Sequence, residues 1–115
     1  ITIVTTAIGL NRKLEALEPS LAKARKRGVK IRIAAPINST NIKIAKELSK
    51  FAEVRDTGAL RARFVIIDSE QLMFMVLDDD KVHPNYDVAL WLNTSFFAAA
   101  LEQMFEVAWG KFKKI

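Results

Sequence analysis

The segment RARFVIID, residues 61–68, decides how the chain is interpreted. Two arginines stand on alternate positions, four apolar residues follow, and an aspartate closes the run. Because residues two apart in a β-strand face the same side, the pattern predicts that Arg61 and Arg63 project together from the mouth of a core strand. Neighbouring like charges repel, so we expect an anion or carboxylates opposite them. Asp68, reached through a turn, and Asp56 on the preceding strand are the candidate partners.

The rest of the chain predicts a β-α-β-α-β-β-β-β-α order. Helices alternate with strands early and the strands then cluster, which indicates an α/β fold with a mixed β-sheet flanked by helices. The predicted elements are a strand at 1–7, a helical stretch interrupted by Pro19, a strand at 29–33, a helix ending near Phe51, strands near 54–55 and at 61–68, 71–77 and 88–92, and a final helix.

Proline and capping residues predict where the helices begin. Pro19 lacks an amide donor, so we expect it to split the first helical stretch and to open the second piece at its first turn. Asn38, Ser39 and Thr40 are candidates for capping the second helix, and Thr94 or Ser95 for capping the last.

The final helix is rich in apolar residues. Those predicted to cover the sheet are Phe97, Leu101, Met104, Phe105, Ala108 and Phe112. With Phe96 and Trp109 they supply more aromatic surface than one helix face needs. We therefore expect part of this surface to be exposed, as is common at partner interfaces.

Composition excludes several classes of protein. The 115 residues, half of them hydrophobic, predict one domain over 1–115, and the absence of cysteine excludes disulfides and thiol nucleophiles. No apolar run is long enough for a membrane span, so we expect a cytoplasmic protein without membrane contact. Because the chain opens at Ile1 on a strand-like run, we expect it to be a piece of a longer protein.

No cofactor or metal is expected. His83 is the only histidine and lies in a polar loop, and Asp78, Asp79 and Asp80 lack the alternation of a calcium loop. The formal charge of +5 indicates an ordinary basic surface. The basic cluster of Lys23, Arg25, Lys26, Arg27, Lys30 and Arg32 is interpreted as a solvated face, with contact to phosphate backbones as the alternative.

The spacing of Arg61, Arg63 and Asp68 resembles the His-x-Lys-x-x-x-x-Asp signature of the phospholipase D superfamily. ARKRGVKIRI, residues 24–33, is similar to that family's first helix and second strand. VALWLNTSFFAAALEQMFEVAWGKF, from Val88 onward, is similar to its closing strand and helix. The resemblance implies a phospholipase D-like half domain.

The sequence departs from the signature at its nucleophile. Arg61 stands where members that cleave phosphodiesters carry histidine, and a guanidinium is never appreciably deprotonated in a protein. The Gly-Ser-x-Asn pattern expected after the next strand is also missing from 77–80. The chain is therefore not predicted to be an enzyme. Arg63 retains the ability to hold a phosphate or carboxylate bidentately.

A degenerate domain of this kind resembles the effector region of archaeal transcription regulators of the TrmB family. That resemblance implies DNA contact through a winged-helix domain upstream, which this sequence lacks. It also implies a homodimer with the signature strands facing each other. Sugar-sensing members carry a further β-rich domain that is absent from this sequence, so sugar specificity is not carried over.

Three functional hypotheses follow. The first is a non-catalytic effector-sensing and dimerisation domain that binds a small anionic ligand at Arg61, Arg63 and Asp68. The second is a divergent phosphodiesterase or nuclease, and the third is a plain oligomerisation module. For the arginines themselves, a structural ion-pair cluster is the alternative to an anion site.

Overall fold

The computed structural model describes residues 1–78, 83 and 86–115, where the strands form one seven-stranded mixed sheet. The strand order across the sheet is β6-β5-β4-β1-β2-β3-β7. Strands β1, β2 and β3 are parallel, and every other neighbouring pair is antiparallel. The strands are β1 (Thr2–Val4), β2 (Arg32–Ala35), β3 (Glu53–Asp56), β4 (Phe64–Ile67), β5 (Gln71–Met75), β6 (Ala89–Asn93) and β7 (Lys113–Lys114).

Helices cover both sides of the sheet, so the predicted α/β class with helices flanking a mixed sheet is confirmed. The helices are α1 (Ala7–Gly9), which continues through a π-helical segment (Leu10–Leu14) into α2 (Glu15–Lys26), then α3 (Ile42–Leu48) and α4 (Ser95–Trp109). The last strand, β7, was not predicted, because two consecutive lysines carry no strand pattern.

The first strand and helix differ from their predicted boundaries. The strand ends at Val4 because Thr6 caps the first helix, its hydroxyl accepting a hydrogen bond of 3.0 Å from the Gly9 amide. Pro19 lies inside α2 and does not open it. The π-helical segment shifts the hydrogen-bond register just before this proline. Helices usually depart from regular α geometry at π-helical segments and at prolines.

Asn41, and none of the three predicted capping residues, occupies the N-cap position of α3. Its side chain is fully buried and makes no capping bond. The amide nitrogen instead donates to the carbonyl oxygen of Pro36 at 2.8 Å and of Ala7 at 3.5 Å. The amide oxygen accepts from the Asn38 amide at 2.8 Å. Asn41 therefore ties the loop after β2 to the start of α1.

The face of α4 that covers the sheet is rotated from the predicted one. Ala98, Phe105 and Trp109 are buried, whereas Met104 is 70% exposed. Arg55 favours this rotation, since its guanidinium lies 4.3 Å from the Trp109 ring centroid and donates to the Trp109 carbonyl at 2.6 Å. Apolar residues on several sides of the helix left the face ambiguous in the sequence.

The helices α1 to α3 leave one half of their side of the sheet open. Val65, Met73 and Trp91 are directly opposite one another on β4, β5 and β6, so they share this side. Val65 packs against the core under the helices, but Met73 and Ile67 are exposed and Trp91 is 70% exposed. We call the surface formed by Ile67, Met73 and Trp91 the open sheet face.

Within the described ranges, no helix has both the length and the hydrophobicity needed to cross a lipid bilayer.

Candidate functional site

Arg61 and Arg63 lie in the segment immediately before β4, which begins at Phe64. Phe64 is paired with Val4 at the end of β1, so the arginines lie at the edge where the parallel strands have their carboxyl ends. In open α/β sheets this edge is the usual place for ligand sites. The two arginines therefore lie at the mouth of the strand, as predicted.

Arg63 is buried, with 7% of its surface exposed. One guanidinium nitrogen donates to the carbonyl oxygen of Leu77 at 3.1 Å, and the other forms an ion pair with the carboxylate of Asp87. Both partners belong to the connection between β5 and β6. A charge removed from water is tolerated only when it is paired and hydrogen-bonded, and these contacts supply that compensation.

Arg61 is more exposed and has a partner in the same connection. Its guanidinium donates to Asp78 at 2.7 Å, with about half of the arginine side chain accessible to solvent. Carboxylates do lie opposite the arginines, but they are Asp78 and Asp87 and not the predicted Asp68 and Asp56. Asp56 instead accepts hydrogen bonds from the amides of Ile37 and Gly58, at 3.1 and 2.8 Å.

Asp68 lies at the opposite end of β4 from the arginines, in the turn that leads to β5. It has a positive φ of 54°, and the following Ser69 has a φ of 56°, so two left-handed residues form this turn. A four-residue strand spans about 13 Å. The structure therefore brings Arg61 and Arg63 together and leaves Asp68, the third predicted ligand residue, outside their site.

A small cavity separates the two arginines from the end of β5. Its volume is about 170 Å³, and its walls include Thr6, Arg61, Arg63, Met75 and Asp78. We call it the arginine cavity. Sites for drug-sized ligands usually measure about 300–1,000 Å³, so this cavity suits a simple anion better than a metabolite. Any such anion would compete with the carboxylates already paired with the arginines.

The remaining candidate residues form no metal site within the described part of the chain. His83 packs edge-on against Tyr86, with 6.0 Å between ring centroids. No group of three or more histidines or carboxylates converges among the residues that were described. The predictions for Asp79 and Asp80, and for the loop at Pro84, fall outside the described residues.

The sequence matches no protein-family model and no curated protein. Its fold does match solved structures. One is TrmBL2, an archaeal chromatin protein described with a novel mode of DNA binding, at a TM-score of 0.72 and 26% identity. Another is Nuc from Salmonella typhimurium, a phospholipase D family member, at a TM-score of 0.71 and 12% identity. The chain folds as a TrmB-like, phospholipase D-like domain.

The chain spans less than half of the TrmBL2 chain and about four-fifths of the Nuc chain. The match to TrmBL2 covers 99% of the domain and 44% of that chain, and the match to Nuc covers 98% of the domain and 79% of that chain. At 12% identity, the likeness to Nuc concerns the fold alone. The chemistry of the TrmB-like domain must therefore be argued from its own residues.

Proposed function

We propose that this domain is a non-catalytic effector-sensing and dimerisation domain of a TrmB-like transcription regulator. The observation that carries the proposal is the pairing of Arg61 with Asp78 and of Arg63 with Asp87 at the two signature positions. In this proposal, DNA contact belongs to a winged-helix domain upstream, as in the TrmB family.

The chemistry of guanidinium supports a role without catalysis. A nucleophile that attacks phosphorus must offer a free electron pair, and arginine keeps its proton at any pH that a folded protein tolerates. Each guanidinium group is already paired with a carboxylate, Arg61 with Asp78 and Arg63 with Asp87. The arginines are thus suited to holding a negative charge in place.

A phosphodiesterase assay tests this absence of catalysis. We expect the purified domain to leave bis(p-nitrophenyl) phosphate unhydrolysed, and the variant Arg61→His, which restores a titratable group at that position, serves as the comparison. Hydrolysis by the unmodified domain that is abolished in Arg63→Ala would replace this proposal with that of a divergent phosphodiesterase.

The open sheet face supports a role in dimerisation. Ile67 lies on the signature strand, and Met73 and Trp91 extend the same apolar surface to the edge of the sheet. Exposed apolar surface of this kind is characteristic of partner interfaces. A stable pair buries about 800 Å² on each partner, more than these three side chains provide, so neighbouring apolar residues of β5 and β6 would contribute.

A small anion is the proposed effector of the arginine cavity. It would bind by displacing the Asp78 carboxylate from Arg61, because this pair is exposed and such pairs contribute about 1 kcal/mol or less. Displacing Asp87 from the buried Arg63 would cost more. Ligand exchange is therefore proposed at Arg61, with Arg63 as the fixed charge beside it.

A further inference from the structure

A second and larger cavity lies at the opposite end of the sheet. Its volume is about 760 Å³, within the usual range for small-molecule sites. Thr2, Arg32 and Glu53, which lie side by side at the amino ends of β1, β2 and β3, form part of its wall. We call it the amino-end cavity. It shares no lining residue with the arginine cavity.

Arg32 is a fixed charge in the wall of this cavity. Its guanidinium contacts Glu106 at 2.6 Å and Glu102 at 3.6 Å, and it donates to the Thr2 hydroxyl at 3.2 Å. The Phe105 ring lies beneath it, 5.0 Å from guanidinium carbon to ring centroid. Two of the three carboxylates that line the cavity therefore contact Arg32, whose single charge balances one of them.

The third carboxylate of the cavity wall is also paired. Glu53 contacts Arg55 at 2.8 Å, and the lining residue Lys50 contacts Glu47 at 3.0 Å. Two further lining cations, Arg25 and Lys30, contact no carboxylate among the side chains that the structure describes. The wall carries four cationic side chains and three carboxylates, so Arg25 and Lys30 leave it with a net excess of one positive charge.

Helix electrostatics explain only one of these two charges. Arg25 lies in the last turn of α2, where cations stabilise the helix dipole, as do its neighbours Lys23 and Lys26. Lys30 lies beyond that helix, after Gly28. Its carbonyl oxygen accepts a hydrogen bond of 2.8 Å from the amino group of Ile1. Helix electrostatics therefore give no reason for the charge of Lys30.

The remaining walls of the cavity are apolar. Ile31 is buried, and Phe51 and Ala52 are half-buried against the same core. Apolar walls with a few charged groups that fix orientation are typical of small-molecule sites. A ligand that matches this cavity combines an apolar part with an anionic group.

We infer that the amino-end cavity binds a small organic phosphate through Arg25 and Lys30. A phosphate monoester presents three oxygens that can accept charge-assisted hydrogen bonds from both cations, whereas a carboxylate presents two. The organic part would lie against Phe51 and Ile31. This site is separate from the anion site proposed at Arg61 and requires neither that site nor dimerisation.

Calorimetry with 1-naphthyl phosphate as the probe, and 1-naphthol as the uncharged comparison, tests the inference. We expect the phosphate to bind and the alcohol to bind far more weakly. Arg25→Gln and Lys30→Gln should each weaken binding about tenfold, the effect of one charge-assisted contact. Lys26→Gln and Arg27→Gln remove equally exposed charges from the same region but line neither cavity, and should leave binding unchanged.

Several results of the calorimetry would overturn the inference. The first is an absence of binding at millimolar probe, and the second is equal weakening by both pairs of variants, which would indicate diffuse attraction. The third is loss of binding in Arg61→Gln, which would place the probe in the arginine cavity.

A duplex DNA titration separates a small-molecule site from a polyanion surface: binding of DNA that depends equally on Arg25 and Arg27 contradicts the inference.

A chemical-shift titration of the unmodified domain provides a measurement independent of the variants. Saturable shifts of the backbone amides of Ile31, Phe51 and Ala52 are expected on addition of the probe. Shifts confined to the residues around Arg61 and Asp78 would contradict the assignment.

Discussion

Asp87 and Arg63 form an ion pair in which neither side chain is more than about one-eighth exposed, and it joins the start of β4 to the residues before β6. Arg61, two residues away, makes the corresponding contact with Asp78 at the surface. One pair holds the connection between β5 and β6 in place, and the other is accessible to exchange.

This difference predicts unequal costs for removing the two carboxylates. Asp87→Asn should lower the free energy of unfolding by about 3 kcal/mol, since it leaves a buried guanidinium without its counter-charge. Asp78→Asn should lower it by about 1 kcal/mol or less, as for other exposed pairs. Urea denaturation followed by circular dichroism measures both. Equal effects would contradict the distinction between a structural pair and an exchangeable one.

Asn41 provides a test of the buried loop anchor. Replacing it with leucine removes the three hydrogen bonds of its side-chain amide and leaves the carbonyl of Pro36 without this donor, which should destabilise the domain by about 2 kcal/mol. Thr40→Ala, at the exposed preceding position, is the control and should change stability much less. Chemical denaturation measures both variants. A neutral Asn41→Leu substitution would show that the loop after β2 is held by other contacts.

The open sheet face predicts which apolar residues control association. Trp91 and Met104 are each 70% exposed, but Trp91 lies on the open sheet face and Met104 lies on α4, on the other side of the sheet. Trp91→Lys should shift the domain from dimer to monomer, because an interface that buries the lysine must desolvate its charge. Met104→Lys should not. Light scattering coupled to size exclusion measures the mass, and a dimer lost only in Met104→Lys would move the interface to α4.

An anion in the arginine cavity should stabilise the folded domain. Inorganic phosphate at concentrations above its Kd raises the unfolding midpoint, because a ligand that binds only the folded state stabilises it by mass action. The increase should be smaller in Arg61→Gln, which keeps the amino-end cavity, and unchanged in Lys111→Gln, a lysine distant in sequence that lines neither cavity. Thermal denaturation at matched ionic strength measures this. An equal increase in both variants would contradict binding at Arg61, because it would come from the amino-end cavity or from a general salt effect.

Much of the fold could be predicted from local patterns. Alternating apolar residues predicted the strands at Ile33 and Ile66, and Thr94 caps α4 as expected, accepting a hydrogen bond from the Phe97 amide. The predicted ends of helices and strands were wrong where a contact between residues distant in sequence determines them. The anchoring of Asn41 against Ala7, across 34 positions, is one such contact.

The site was predicted in part. The spacing of Arg61 and Arg63 indicated that they act together, and the structure places both on one cavity. Their carboxylate partners are 17 and 24 positions away, in a connection without periodicity, so the sequence offered no signal for choosing them. The sequence offered even less signal for the amino-end cavity, because its wall is assembled from four separate segments of the chain.

The two outer edges of the sheet are chemically different. Along β7, the exposed Lys113 and Lys114 put positive charge on one edge, and lysine on an edge strand opposes the addition of another strand. At the other edge, β6 is exposed along its whole length and carries Leu90, Trp91 and Leu92. Two copies that met at β6 would turn only lysine-bearing edges outward, so such an assembly would stop at two and would not grow into a filament.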